Sequence, residues 1–261
     1  MKLIRCCESR AKCSPSANSM NRTVFLIVLL SAVFALATPG FAGDYATLNV
    51  IGFSKDGRYL AFEEYGVQDG SGFPYSNVYF IDVEKNAFAA PSIAVRITKE
   101  MAPETVARKR AVTLAAKVLT RFRIVKGNIG KLVLSHLMTD LTFEGSPEKA
   151  PTVRFAEEIG SLYRRGHYEL SLTKKPIKTK GCEIFEEDPK LLELGIRDLD
   201  ADTFKFLQKD TSLPETRGCA NDYRIRDVYI NKGFVVVFIG VFTQGFEGPD
   251  MRYMAVTGKL K

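Results

Sequence analysis

The sequence predicts a β-rich α+β fold, and three observations carry that expectation. Both ends of the chain alternate apolar and polar residues in short runs broken by Gly, Asp and Lys. One long stretch in the middle instead spaces its apolar residues as a helix does. Near the C-terminus, "FVVVFIGVF" (234–242) is apolar without a break. Together these predict two three-stranded antiparallel meanders, N- and C-terminal, in one domain with an inserted amphipathic helix. The alternative is a degenerate β-propeller.

The first forty residues read as an address rather than as structure. Val24 to Ala37 is apolar apart from one Ser, Arg22 precedes it, and Gly40-Phe41-Ala42 supplies small residues at −3 and −1. That is the order of a secretory signal peptide, with cleavage expected after Ala42. The run stops at Pro39-Gly40, short of the roughly 20 apolar residues of a membrane span. Residues 1–42 are therefore read as a signal peptide and 43–261 as a single β-rich secreted domain. Met20 would open a signal peptide of ordinary proportions, so residues 1–19 read as an over-extended start. Cys6, Cys7 and Cys13 precede the apolar run, where no lipid anchor is attached. The expected compartment is periplasmic or secreted, with no stable membrane anchor after cleavage.

Composition must be recounted for the mature part. Of 37 basic and 30 acidic residues, five and one fall in the first 42, leaving 32 and 29. A net charge of +3 is too mild to argue for nucleic acid. Five cysteines become two, Cys182 and Cys219. An even count in an exported chain predicts a disulfide between them. It would close a loop of about 38 residues, worth roughly 3–4 kcal/mol in the chain-entropy picture.

In chain order, "GFSKDGRYLAFEEYG" (52–66) ends one strand at Phe53, turns at Lys55-Asp56-Gly57 and runs a second strand from Arg58 to Tyr65. "VQDGSGFPY" (67–75) is a Gly-rich loop, and "SNVYFIDVEKN" (76–86) a third strand. A helix is expected over 103–124. Ala107, Ala111, Leu114, Ala115, Val118 and Phe122 share one face, while Arg108, Lys109, Lys117 and Arg123 lie elsewhere. Pro103 and Glu104 suit its start and Gly127 its stop. "KLVLSHLMTDLTFE" (131–144) and "TVRFAEEIGSLYRRGHYELSLTKKPIK" (152–178) are β-like, with a turn expected at Arg164-Arg165-Gly166. "DPKLLELGIRDLDADTFKFLQKD" (188–210) reads as one or two short helices. "YRIRDVYI", "FVVVFIGVF" and "MRYMAVTGKL" are the last three strands. The middle one is expected to be an inner strand covered on both faces, one of them by the helix.

The two ends echo each other. Residues 47–83 and 224–258 share one order of strands, turn and loop, and Gly57, Phe62 and Gln68 align with Gly233, Phe238 and Gln244. "FSKDGRYLAF" resembles a blade signature of the periplasmic TolB-type propellers. A propeller repeats such a signature every 40 or so residues, and this chain does not. A wider resemblance is carried by "GFSKDGRYLAFEEYGVQDGSGFPYSNVYFIDV", "PETRGCANDYRIRDVYI" and "GFEGPDMRYMAVTGKL". In these the chain resembles a bacterial family of predicted secreted proteins with a domain of unknown function. The resemblance implies export and a β-rich fold and carries no activity across.

Chemistry has few handholds. Only His136 and His167 are present, and no G-x-S-x-G, H-E-x-x-H or P-loop occurs. No catalytic residue, metal ligand or cofactor is assigned, and an enzyme is disfavoured. Glu63, Glu64 and Asp69 bring carboxylates near a Gly-rich loop, but consecutive strand residues face opposite ways, and the spacing suits no calcium loop. Aromatics do gather at the Gly-rich loops. Tyr65, Asp69, Phe73, Tyr75 and Phe246 form the candidate surface for a ligand or partner. The leading expectation is a non-catalytic binding or structural module for an envelope protein or ligand. The alternatives are a periplasmic hydrolase-type enzyme using His136 or His167, and a propeller-like interaction scaffold.

Overall fold

Twelve strands and one α-helix stack as four layers in the computed structural model, which describes residues 43–99, 102–137, 152–159, 164–182, 187–245 and 248–260. Residues 42–261 cluster as one unit. The first sheet is a meander of β1 (Thr47–Phe53), β2 (Tyr59–Val67), β3 (Pro74–Asp82) and β4 (Ala87–Arg96). Helix α1 (Glu104–Arg121) follows, then β5 (Lys131–Ser135). The third sheet is β6 (Thr152–Ile159), β7 (Arg164–Pro176), β8 (Lys190–Asp198) and β9 (Thr203–Lys209), again in sequence order. β10 (Asp222–Asn231), β11 (Phe234–Gln244) and β12 (Pro249–Lys259) complete the second sheet, ordered β12-β11-β10-β5. All these pairings are antiparallel.

Strand alternation assigns each face its neighbour. On β11, Val236 and Phe238 meet Phe53, Leu60, Phe62 and Ile81 of the first sheet. Val235, Val237 and Ile239 point the other way and meet Leu170, Leu172, Leu194 and Ile196 of the third. A strand sandwiched between two sheets needs no polar face, hence the unbroken apolar run. On the far side of the first sheet, Ile51, Ala61, Val78 and Phe80 pack against Ala107, Ala111 and Ala115 of α1, all three fully buried. Alanine on that stripe lets the helix axis lie close to the sheet.

Turn chemistry sets the register. In the β1–β2 turn, Asp56 accepts from the Ser54 hydroxyl at 2.5 Å and from the Arg58 amide at 3.2 Å. Gly57 sits at φ 78, a left-handed value that glycine adopts freely. The equivalent Gly233, at φ 75, turns β10 into β11. The sequence echo is thus two facing sheets, and its paired phenylalanines meet: the Phe62 and Phe238 rings lie edge-on at 5.1 Å.

Several expectations are corrected. The described residues form three four-stranded sheets, not two three-stranded meanders. The first meander gains β4, an Ala-rich strand whose Pro91 is tolerated at a sheet edge; the last gains β5. The middle of the chain builds a sheet of its own. Residues 188–210 form the β8–β9 hairpin rather than helices, because Leu192, Leu194 and Ile196 alternate onto the second sheet. Arg164, Arg165 and Gly166 belong to strand β7 rather than to a turn. The helix covers the first sheet, not β11, whose second face goes to the third sheet. Leu114 lies at the margin of the helix stripe and is 54% exposed. The sheets are open, and no closed ring of blades forms among the described residues. Residues 1–42, 138–151 and Phe246 lie outside the described residues. Among the described residues no helix is long and apolar enough to cross a membrane.

Cys182 and Cys219 are joined, with Cα atoms 5.7 Å apart. The bond ties the end of β7 to the segment entering β10. Beside it Arg217 grips Asp210 with two nitrogens, and Asp210 also accepts from the Leu192 amide. Burial raises the Asp210 pKa, but these donors outweigh it and hold the carboxyl below its ordinary value.

Candidate functional site

Helix α1 does not sit centrally on its sheet. It lies over β3 and β4, with less on β2. The β1 side of that face is therefore left partly uncovered. After the helix the chain turns back along β1: Val125 donates to Phe53, Gly127 donates to Ile51, and Asn128 accepts from Phe53. This return is close enough that a Cβ on Gly52 would fall 2.2 Å from the Val125 carbonyl oxygen. Only glycine fits there.

Between helix, β1 and this returning segment runs a groove of about 530 Å³. Ile51, Val112, Leu119 and Ile124 give it aliphatic walls, and Val50 lines its β1 side. Asn49, Glu63, Thr105 and Arg108 are its polar residues, with Lys109 and Lys126 also lining it.

Glu63 is the chemical centre of this arrangement. It sits mid-strand in β2, fully buried. Arg108 approaches bidentately, Nε to Oε1 at 3.1 Å and Nη2 to Oε2 at 2.9 Å. The Asn49 amide donates to Oε2 at 2.8 Å and the Ser76 hydroxyl to Oε1 at 2.9 Å. Burial by itself raises the Glu63 pKa; the donors, Arg108 first, outweigh burial and hold it below the ordinary carboxylate value. With four donors on two oxygens, this carboxylate is ionised and engaged, a poor general base. Arg108 also lies over the Tyr65 ring, 3.7 Å from its centroid, a cation–π contact that fixes the guanidinium plane.

The next residue, Glu64, points to the opposite face. It accepts from Tyr79 Oη at 2.8 Å, Asn77 Nδ2 at 3.0 Å and the Tyr253 amide at 2.7 Å. Glu63 and Glu64 therefore serve different interlayer spaces and cannot share one ion. No group of metal-ligating side chains occurs among the described residues.

The five residues expected to form one aromatic surface are not brought together. Tyr65 is half-buried on the helix side, beside the groove. Tyr75 is buried on the other face, where its hydroxyl donates to Asp44 at 3.1 Å and its ring lies 4.7 Å from the Arg252 guanidinium. Burial pushes its pKa up. Asp69 is exposed and accepts from the Gly70 amide, a turn contact. Phe73 is half-buried, and its carbonyl closes the same loop through Gln68. Phe246 lies outside the described residues. Neither histidine lines the groove. His167 pairs with Asp200 at 3.0 Å on an exposed surface, and His136 Nδ1 lies 3.2 Å from the Ile225 carbonyl.

Arg108 and the groove escaped the sequence reading. A charged residue on a helix flank normally faces water, and the only signal was the partner: a glutamate set in the middle of the strand "YLAFEEYGV".

Comparison with known proteins adds one relationship. The family described as "Predicted secreted protein (DUF2259)" matches residues 61–259, and the chain belongs to it. Among curated proteins and solved structures nothing matches.

Proposed function

We propose that this member of a predicted secreted family is an exported, non-catalytic binding module, and that its ligand lies in the groove between α1 and β1. Periplasmic or extracellular delivery would follow from the signal-peptide pattern of residues 1–42, with Gly43 as the mature N-terminus. The observation carrying the binding reading is the groove itself. It has aliphatic walls and a few polar groups, the usual composition of small-molecule sites. Among the described residues that line it, the one buried acid is held ionised by four donors, and there is no histidine or cysteine. Such a lining suits holding a molecule rather than transforming one.

The test is native mass spectrometry of the mature protein, residues 43–261, isolated gently from envelope extracts. A stoichiometric bound small molecule is expected, lost on Val112→Asp, which places a charge in the apolar wall while the disulfide and sheet cores stay intact. A wild-type protein that carries nothing and takes up no apolar small molecule overturns the reading. N-terminal sequencing of the same material should begin at Gly43.

A further inference from the structure

We propose that the groove takes an anionic amphiphile with one unbranched apolar chain, its acid group at the Thr105–Lys109 end and its chain running toward Leu119 and Ile124. This rests on the groove being the ligand site.

Shape argues for a chain. The helix residues that line the groove run from Thr105 to Leu119 along one flank. At 1.5 Å per residue that flank is roughly 20 Å long. The groove of about 530 Å³ follows that flank. The groove is long, and an extended chain can follow its aliphatic wall along the helix. Its walls are aliphatic, as flexible hydrocarbon prefers, with no aromatic ring among the lining residues to stack on a planar ligand.

Each end holds one lysine without a salt bridge among the described residues, so the neutral hydrogen-bonding groups and the helix dipole set the polarity of the ligand. Glu63 is neutralised by its bidentate partner Arg108. Lys109, one residue on, makes no salt bridge among the described residues, so that end keeps an uncompensated cation. Glu104, in the exposed first turn, is the nearby opposing charge, and it acts on Arg108. Thr105 adds a hydroxyl. This end of the groove is also the N-terminal end of α1, where the helix dipole favours an anion. At the other end the lining is Leu119, Ile124 and Gly127, with Lys126 as the single charge. A head group there would have no neutral hydrogen-bonding side chain to meet it.

The experiment uses mature protein with dodecanoate and with neutral 1-dodecanol, both below the concentration at which they self-associate, read by titration calorimetry. Dodecanoate should bind one to one and at least tenfold more tightly than dodecanol, with affinity falling as salt rises. Lys109→Gln should weaken dodecanoate about tenfold and leave dodecanol unchanged. Lys126→Gln should weaken dodecanoate clearly less than Lys109→Gln does. Both lysines project from the surface, so circular dichroism of the variants should match wild type. If dodecanol binds as well as dodecanoate, the acid assignment is wrong while the groove reading stands. If Lys126→Gln carries the loss, the head lies at the opposite end and the proposed orientation is overturned. If neither ligand binds, the single-chain assignment falls; the mass-spectrometric search for a native ligand then decides separately whether the groove binds anything.

Discussion

Glu63 and Asn86 show how much single side chains do here. Arg108→Met would leave a buried carboxylate with only Asn49 and Ser76 as donors. Arg108 is about one-third exposed and Glu63 is not, so the expected loss is about 2–3 kcal/mol in urea denaturation. Glu63→Gln/Arg108→Met should recover part of it, because the orphaned charge is removed. Asn86, in the β3–β4 turn of the first sheet, reaches both other sheets. Its amide donates to the Leu207 carbonyl at 3.1 Å and to Gln208 at 2.9 Å, and its carbonyl accepts from the Thr257 amide at 2.8 Å. Asn86→Ala should cost about 2 kcal/mol. Asn86→Gly should cost less, since its φ of 51 suits glycine. Equal losses for Ala and Gly would show that the backbone conformation carries no share.

Elements are specified by what covers their faces. Val236 on β11 is fully buried against the first sheet. Val236→Asp should lose more than about 4 kcal/mol or fail to fold, because it buries an unpaired charge. A variant melting like wild type would mean that the face is open. Helix α1 makes a different demand. Its alanine stripe permits close approach to the sheet, so Ala111→Leu should overpack that layer and cost about 1–3 kcal/mol, read as a lower thermal midpoint. Helix ending is equally local. Gly127 looked like the stop, yet the helix ends at Arg121. Arg123 takes the left-handed φ of 53, with its amide donating to the Thr120 carbonyl. Short-range bonds closed the helix earlier than residue type implied.

The layered molecule should be sensitive to acid and to reduction. Glu63, Asp210 and Asp222 all have pKa values below their ordinary 4.5 or 3.8. A depressed folded pKa adds stability that is fully present above the unfolded value and lost as pH falls through the folded one. The thermal midpoint should therefore hold above about pH 5 and fall steadily below it. Glu63→Gln should flatten part of that acid limb. Reducing Cys182–Cys219, separated by 37 positions, should cost roughly 3–4 kcal/mol. Equal midpoints with and without reductant would show that other contacts hold these segments, with the Asp210–Arg217 pair holding the β10 entry.

The sequence by itself determined what depends on local pattern and count. The β-rich class, the helix, the β1–β2 turn, three strands of each end sheet and the pairing of the last two cysteines were legible, while the fourth strand of each was not, because period, turn residues and parity are properties of neighbours. The inner position of 234–242 was legible too, since an unbroken apolar strand must be covered twice. What covers it was not. Only tertiary structure decided that the middle of the chain folds as a third sheet, turning a leucine-rich, helix-like stretch into a strand whose alternate residues reach a core. Only tertiary structure seated α1 off-centre, opened the groove beside β1 and set Arg108 on Glu63. These depend on which faces meet across long sequence separations, and no local period records that choice.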